Sequence, residues 1–364
     1  MNDSQEALSN ETTLPVAEVA ISAAFLCLVN IAIIICNLLV LVIVWRTSKL
    51  HEPNYFFLCS LSVADLLVGL IYCPLLIVSV IKQSWVLGDF ACKAHAVTIS
   101  TSLNASLMSL CAISVDRYYF ITRPLRYTEI VTRRKTMFAI AFIWFHSIFW
   151  AVAPIFGWGE HIYEESTATC KPNWNGEGLL DKSYALGLAL FCFLFPVLVM
   201  IIAYVLIYKT ARKQLRNIQL PGVAGRNNGE LTKAHKAAKT VFIIIGMFFL
   251  CWSVYTVVSL WKLFASLSDL PARLVRIGLY LAVSNSCVNF YVYAIRDKVF
   301  RKGLRYVLVP RGRYSGGHRS NMSRARTTPS HSRSALELDF PAAGSNQSFD
   351  TPNGYFKRLS SFIH

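Results

Sequence analysis

The sequence predicts an all-α membrane protein: a seven-transmembrane helix bundle followed by a short amphipathic eighth helix. Two observations carry that prediction. The 364 residues are 54% hydrophobic and only 15% charged, whereas a soluble domain carries about a quarter charged residues. Seven stretches also hold the roughly 20 apolar residues that a helix needs to cross the hydrocarbon core. They lie at about Ala20–Trp45, Tyr55–Val80, Cys92–Ile121, Met137–Phe156, Ala185–Ile207, Val241–Leu263 and Leu274–Ile295. Alternation at period two is absent from all of them, which argues against a membrane β-barrel. A content of 23 Phe and 16 Tyr does not suit a disordered chain. The formal charge of +16 does not point to nucleic acid, because the Lys and Arg are strung between long apolar runs.

Residues 1–19 form an N-terminal segment expected outside the cell. Residues 1–45 contain no Lys or Arg, but carry Asp3, Glu6, Glu11 and Glu18. The opposite side is basic, with Arg46, Lys49, Arg123, Arg126, Arg133, Arg134 and Lys135, and later Lys209, Arg212, Lys213, Arg216, Lys233, Lys236 and Lys239. The positive-inside rule puts the N-terminus outside and, after seven crossings, the C-terminus in the cytoplasm. No basic segment or cleavage site of a signal peptide precedes the first span. Asn2 and Asn10 begin glycosylation sequons on the outer side, whereas the sequon at Asn104 lies inside the third span and should stay bare. No repeat relates the two halves, which counts against an inverted-repeat transporter.

Eight of the ten cysteines (Cys27, Cys36, Cys59, Cys73, Cys111, Cys192, Cys251 and Cys287) lie within spans and read as small apolar packing. Cys92, at the start of the third span, and Cys170, in the long second outer connection, both face the oxidising side. A Cys92–Cys170 disulfide is the natural pairing. From Cys92 to Arg117 a helix rises about 39 Å at 1.5 Å per residue, so the two residues stand at opposite faces of the membrane.

After the seventh span, Val299, Phe300, Leu304, Val307 and Leu308 recur at helical spacing among Lys298, Arg301, Lys302 and Arg305. This predicts an amphipathic helix at residues 297–308, lying on the inner leaflet with its basic side towards anionic lipid. Residues 309–364 turn to Arg, Ser, Gly and Pro, the composition of a disordered cytoplasmic tail. The bundle itself spans residues 20–296.

A set of residues recurs in order through the seven spans. It begins with Asn37, Leu61-Ser62-Val63-Ala64-Asp65, Cys92 and Asp116-Arg117-Tyr118. It continues with Trp144, Pro196, Tyr204, Cys251-Trp252, Asn285, Ser286, Asn289 and Tyr293. In these residues and their spacing the chain resembles the rhodopsin-like (class A) G-protein-coupled receptors, over residues 20–308. The resemblance implies a plasma-membrane receptor that acts on heterotrimeric G proteins, and no enzyme.

The resemblance also assigns roles. Asp65 is the one acidic residue deep inside a span, where a carboxylate is costly and needs partners. In the family it joins Ser106, Asn285, Ser286 and Asn289 around a sodium ion that favours the inactive state; the alternative is a hydrogen-bonded polar core without an ion. Arg117 is the family's contact to the G protein, moving from Asp116 towards Tyr204 and Tyr293. Leu125 matches an apolar plug for a Gα pocket. Trp252 resembles a rotamer switch, with Phe248, Pro196 and Leu107 as its packing triad. Basic-directed sites at Thr327, Thr328, Ser360 and Ser361 fit receptor kinases and arrestin.

Three positions depart from the family pattern. Val254 and Phe290 stand where prolines usually kink the sixth and seventh helices, so both helices should run straighter. Ala234 stands where relatives carry an acidic partner for Arg117, which implies raised basal signalling unless other contacts hold the helix.

The position of the amine-binding Asp is Ile99, and Leu188, Ala189 and Cys192 stand where catechol receptors carry Ser, so an amine ligand is disfavoured. The position of the retinal-binding Lys is Val283, and no Lys lies between Leu274 and Ile295, which excludes a retinal cofactor. The pocket candidates are Tyr72, His95, Ile99, Ser102, Leu103, Tyr255, Ser259, Leu279 and Val283. They suit a lipid or small neutral ligand; His95 reads either as a ligand contact or as a rim side chain. Lys262, Arg273 and Arg276 read as a solvated rim. The short third inner connection and Leu125 lean towards the cyclase-stimulating G protein and cAMP. The alternatives are an amine receptor with an atypical pocket and, from another class, a polytopic transporter.

Overall fold

Six of the seven apolar stretches become helices that outrun them. The computed structural model describes residues 14–173, 176, 178–218, 239, 242–243, 245–255, 257 and 272–308. The first helix is Val16–Arg46, the second Pro53–Lys82, the third Gly88–Thr122, the fourth Arg133–Phe156, and the fifth covers 179–218. The hydrocarbon layer sets the length of the apolar window, while the extra turns carry polar residues such as Glu18, Asp89 and Arg133. Of the sixth stretch the apolar helix Ile245–Tyr255 is described. Asn2, Asn10, Ala234, Ser259, Lys262 and the tail 309–364 lie outside the described residues.

Among the described residues, five helices are long and apolar enough to cross a membrane, two fewer than the seven stretches. The seventh stretch is a 25-residue helix, Ala272–Arg296. Arg276, Asn285, Ser286 and Asn289 lower its apolar content, and the last three are buried in the bundle rather than turned to lipid. The first helix shows the opposite pattern. Leu26, Ile33 and Val40 are buried, whereas Ile21, Leu28, Ile31 and Ile35 are exposed on its other side, apolar where lipid replaces water. The third helix packs against the second, fourth and fifth and buries residues all along its length, from Cys92 to Ile121.

Two helices change pitch before a proline. The second widens into π-type turns at Val68–Tyr72, ahead of Pro74. The fifth widens at Leu188–Leu194, ahead of Pro196. Proline lacks an N–H and its ring collides with the carbonyl four residues earlier, and a wider turn relieves both. That carbonyl belongs to Leu70 in one helix and Cys192 in the other, inside the widened stretch each time. The seventh helix, with Phe290 in place of proline, is continuous from Ala272 to Arg296. The described part of the sixth is helical through Val254. Gly69, in the widened turn, lets the first helix approach; a Cβ there would sit 2.9 Å from Ile34 and 3.0 Å from Ile33.

Between the fourth and fifth helices lies a hairpin of β1 (His161–Glu164) and β2 (Thr169–Pro172), antiparallel with Tyr163 opposite Cys170. A disulfide joins Cys170 to Cys92. The final helix, Lys298–Leu308, seats Phe300 and Gly303 against the first helix, where a Cβ on Gly303 would meet Thr47 Oγ1 at 2.7 Å and Ile43 at 2.9 Å.

Candidate functional site: a polar core and the two ends of the bundle

Asp65 is buried in the second helix, and its carboxylate is met from two sides. Asn289 Nδ2 donates to Oδ2 at 3.1 Å, and Ser106 Oγ lies 3.5 Å from Oδ1. The Ser286 side chain also bonds the carboxylate. Asn37 reaches across from the first helix and donates to the carbonyl of Ser286 at 2.9 Å. Asn285 is buried beside this group and makes no bond to Asp65 among the described residues. Three of the four predicted partners thus meet the carboxylate. Nearby, Trp144 donates to Ser60 at 3.1 Å, and Ser60 meets Ser109 at 3.2 Å, which ties the fourth helix to the second and third.

At the Arg117 end the guanidinium pairs with Asp116 at 2.9 Å and lies over the Phe120 ring. The Tyr127 hydroxyl, from the short helix Tyr127–Ile130, donates to Asp116 Oδ1 at 2.7 Å. Tyr293 is buried within electrostatic range of Arg117. Tyr204 packs on Phe242 with ring centroids 4.9 Å apart. Tyr118 packs with Ile121 and Ile207. Leu125 is 95% exposed, an apolar side chain presented with nothing covering it in this structure. Arg117 is therefore held on its own helix, with Tyr293 of its two expected contacts in electrostatic range.

Between the ends, Phe248 stacks near Trp252 with centroids 6.0 Å apart, and Trp252 meets Tyr255 edge-on at 6.0 Å. Leu107 and Phe248 belong to one buried cluster, and Pro196 is buried on the fifth helix. Of the pocket candidates, Tyr72, Ile99, Leu279 and Val283 form one apolar cluster with Leu103 and Tyr255 packed against it. Ser102 Oγ and Trp252 Nε1 are buried without a hydrogen-bond partner among the described residues.

Two rim readings need correction. His95 is fully buried: its ring stacks on Tyr72 at 4.2 Å, and Nδ1 lies 3.2 Å from the Cys170 carbonyl, so it braces the disulfide. Arg276 is not a loose rim residue either, since it bonds Glu18 of the first helix at 3.1 Å, whereas Arg273 pairs with Glu18 at 2.9 Å and stays exposed, as a solvated rim residue does.

The hairpin supplies a residue that sequence reasoning missed. Thr167, Ala168 and Thr169 at its turn are buried, and Ala168 joins the same apolar cluster as Tyr72 and Leu279. Ala168 holds φ at +54°, a left-handed value uncommon for a residue with a Cβ, at the tight turn between the strands. The turn therefore packs against residues of the candidate pocket. On the strands, Lys171 pairs with Glu164. Burial alone would lower the Lys171 pKa, but neighbouring Tyr255 and Glu164 raise it above its ordinary value. No sequence signal marks the buried turn: Glu165-Ser166-Thr167-Ala168 reads as an ordinary polar loop.

Known proteins resemble this chain in sequence and in fold. Melanopsin of Podarcis siculus is 28% identical over 74% of this chain and 58% of its own length. The GQ-coupled rhodopsin of Mizuhopecten yessoensis is 30% identical over 80% of this chain and 59% of its own. The alpha-1A adrenergic receptor of Oryzias latipes is 29% identical over 76% and 64%. The chain thus spans little more than half the length of several curated relatives it matches. Squid rhodopsin has the same fold, with a TM-score of 0.70 over 81% of this chain and 86% of that one at 24% identity. The family described as "7 transmembrane receptor (rhodopsin family)", one of receptors and not of enzymes, matches residues 36–293, and the chain belongs to it.

Proposed function

We propose that the chain is a plasma-membrane receptor that activates heterotrimeric G proteins by switching its helix bundle between two packings. The observation that carries this reading is the Arg117 end. There a guanidinium is held, among the described acidic residues, by Asp116, with Tyr293 near, and Leu125 on the following short helix is exposed. In the active packing Arg117 leaves Asp116, and Arg117 with Leu125 meets Gα. The end that bears Cys92 faces outward, as the charge bias requires. Phosphates at Thr327, Thr328, Ser360 and Ser361 recruit arrestin.

The ligand we propose is a small neutral molecule or a lipid, and not an amine. Ile99 offers no counter-ion, and the cluster around it is apolar, with the Ser102 hydroxyl and the Trp252 indole N–H left to bond a polar atom. Several relatives are melanopsins, yet Val283 and the Lys-free seventh helix argue against retinal here. The adrenergic relatives favour a second reading, an amine receptor with an atypical pocket, which activation by a panel of amines would support.

Asp65 and Ser106 bring oxygen atoms together, the ligand type of a hard cation such as sodium, while Asn289 donates its amide N–H to the carboxylate. A sodium ion held there would neutralise Asp65 and favour the resting packing. Ala234 lacks the acidic side chain that would hold Arg117 to the sixth helix, so basal signalling is expected. Coupling is proposed to the cyclase-stimulating G protein, with calcium signalling as the outcome that the GQ-coupled relative favours.

The test is nucleotide exchange on Gα in vesicles, with cAMP and calcium read in cells. Wild type is expected to exceed an Arg117→Ala control, and sodium to depress wild type but not Asp65→Asn. Equal output from wild type and Arg117→Ala would overturn the receptor reading, and a transporter would give none.

A further inference from the structure

Asp297 stands at the joint where the seventh helix ends and the final helix begins. Its Oδ1 accepts the N–H groups of Val299 and Phe300, at 2.8 and 3.0 Å, and so caps the final helix. Its own N–H donates to the Tyr293 carbonyl at 2.9 Å, and its carbonyl accepts from Arg301 at 3.0 Å. The second carboxylate oxygen points elsewhere. Oδ2 accepts the hydroxyl of Tyr55, at 2.7 Å, from the opening turn of the second helix.

Tyr55 is buried, and its hydroxyl stands between two opposite charges. Asp297 is bonded to it, and the Arg117 guanidinium lies within electrostatic range. Tyr293, four residues before Asp297, is likewise in range of Arg117, Asp116 and Asp297. Motion of the end of the seventh helix therefore pulls on Tyr55 through Asp297. A hydrogen bond to a carboxylate is short and about twice as strong as one between neutral groups. It breaks without exposing an unpaired charge, because the capping N–H groups keep their hold on Oδ1.

We infer that Tyr55 is a positioning residue for the G-protein end: its bond to Asp297 latches the seventh and final helices to the second in the resting packing. This rests on the receptor reading above. The latch does on the side of the second and seventh helices what a helix-six carboxylate would have done, where this chain has Ala234. When Arg117 leaves Asp116 it approaches the space beside Tyr55, and the hydroxyl exchanges its carboxylate partner for water or for the moving backbone.

The experiment uses the full chain in lipid nanodiscs. Tyr55→Phe removes one oxygen and keeps the ring, and its basal exchange on Gα is expected to rise about fivefold to tenfold, the worth of one hydrogen bond. Asp297→Asn keeps one carbonyl oxygen for the cap and turns its amide N–H towards the Tyr55 hydroxyl, which can accept it, so it should stay closer to wild type than Tyr55→Phe. The double variant should equal Tyr55→Phe alone. A second readout needs no G protein: spin labels on the start of the second helix and on the final helix should show a longer distance in Tyr55→Phe. Unchanged basal exchange in Tyr55→Phe, where Arg117→Ala is silent, overturns the latch and leaves the receptor reading standing. If wild type and Arg117→Ala exchange alike, the receptor reading fails, and the label distance decides the latch: a longer distance supports it and an unchanged one overturns it.

Discussion

At the Cys92 end of the bundle a covalent bond fixes the hairpin to the third helix, and ion pairs lie within the hairpin and between the first and seventh helices. Glu18 clamps Arg273 and Arg276 across the first and seventh helices, Lys171 pairs with Glu164, and His95 braces the Cys170 carbonyl. At the Arg117 end the ties among the described residues are hydrogen bonds and one ion pair: Tyr127 to Asp116, Arg117 to Asp116, and Tyr55 to Asp297. A net hydrogen bond is worth about 1 kcal/mol, whereas removal of a native disulfide costs about 2–5 kcal/mol. The contrast separates a frame from a moving part. One end is built to keep its shape under any load, and the other to exchange partners at little cost.

The sharpest way to break this comparison is to cut the covalent tie. Cys170→Ala, read by thermal unfolding of the purified chain, is expected to lose about 2–5 kcal/mol. The hairpin turn should come away from the cluster of Tyr72 and Leu279, because the packing of Ala168 and the His95 contact to the Cys170 carbonyl are weaker ties than the covalent bond. An unchanged melting temperature with the hairpin still protected from proteolysis would show that packing, and not the disulfide, fixes this end.

The helices and the disulfide were legible because the sequence carries them locally. Twenty apolar residues announce a span, and Cys92 and Cys170 are the two cysteines that the sequence puts at the outer face rather than within a span. Asp65, Ser106 and Asn289 were legible through a pattern of family residues, and the structure brings them together. What stayed hidden depends on contacts between distant positions. Tyr55 and Asp297 are 242 residues apart, and neither side chain is unusual where it stands. His95 and Arg276 read as rim residues because their partners, the Cys170 carbonyl and Glu18, lie on other elements. The prolines at 74 and 196 were visible, but not the widened turns that accommodate them. The choice between a kink and a bulge is made by neighbouring helices, as Gly69 against Ile33 and Ile34 illustrates.

A smaller effect is expected at the other end. Tyr127→Phe removes the hydroxyl that donates to Asp116 and leaves the Arg117 pair in place. The loss should be about 1 kcal/mol, seen as a basal exchange rate raised about fivefold with little change in melting temperature. A fall in melting temperature as large as that of Cys170→Ala would erase the distinction between the two ends.

The smallest effect sharpens the comparison within the frame itself. Burial, with Lys93 nearby as the lesser cause, pushes the His161 imidazole on β1 down to about 4. The unfolded chain takes up this proton near pH 6.5 and the folded chain only near 4, so the unfolded state binds more protons in between. Neutral His161 thus contributes stability that is fully present above pH 6.5 and is lost as the pH falls towards 4. Solvent around this half-buried ring limits the contribution to under about 1 kcal/mol. His161→Gln should therefore lose less melting temperature than wild type between pH 6.5 and 4.5, and the two should differ little above pH 7. Parallel curves for the two chains would mean that the imidazole is charged in the folded hairpin, and that the Cys92 end tolerates a buried cation beside Lys93.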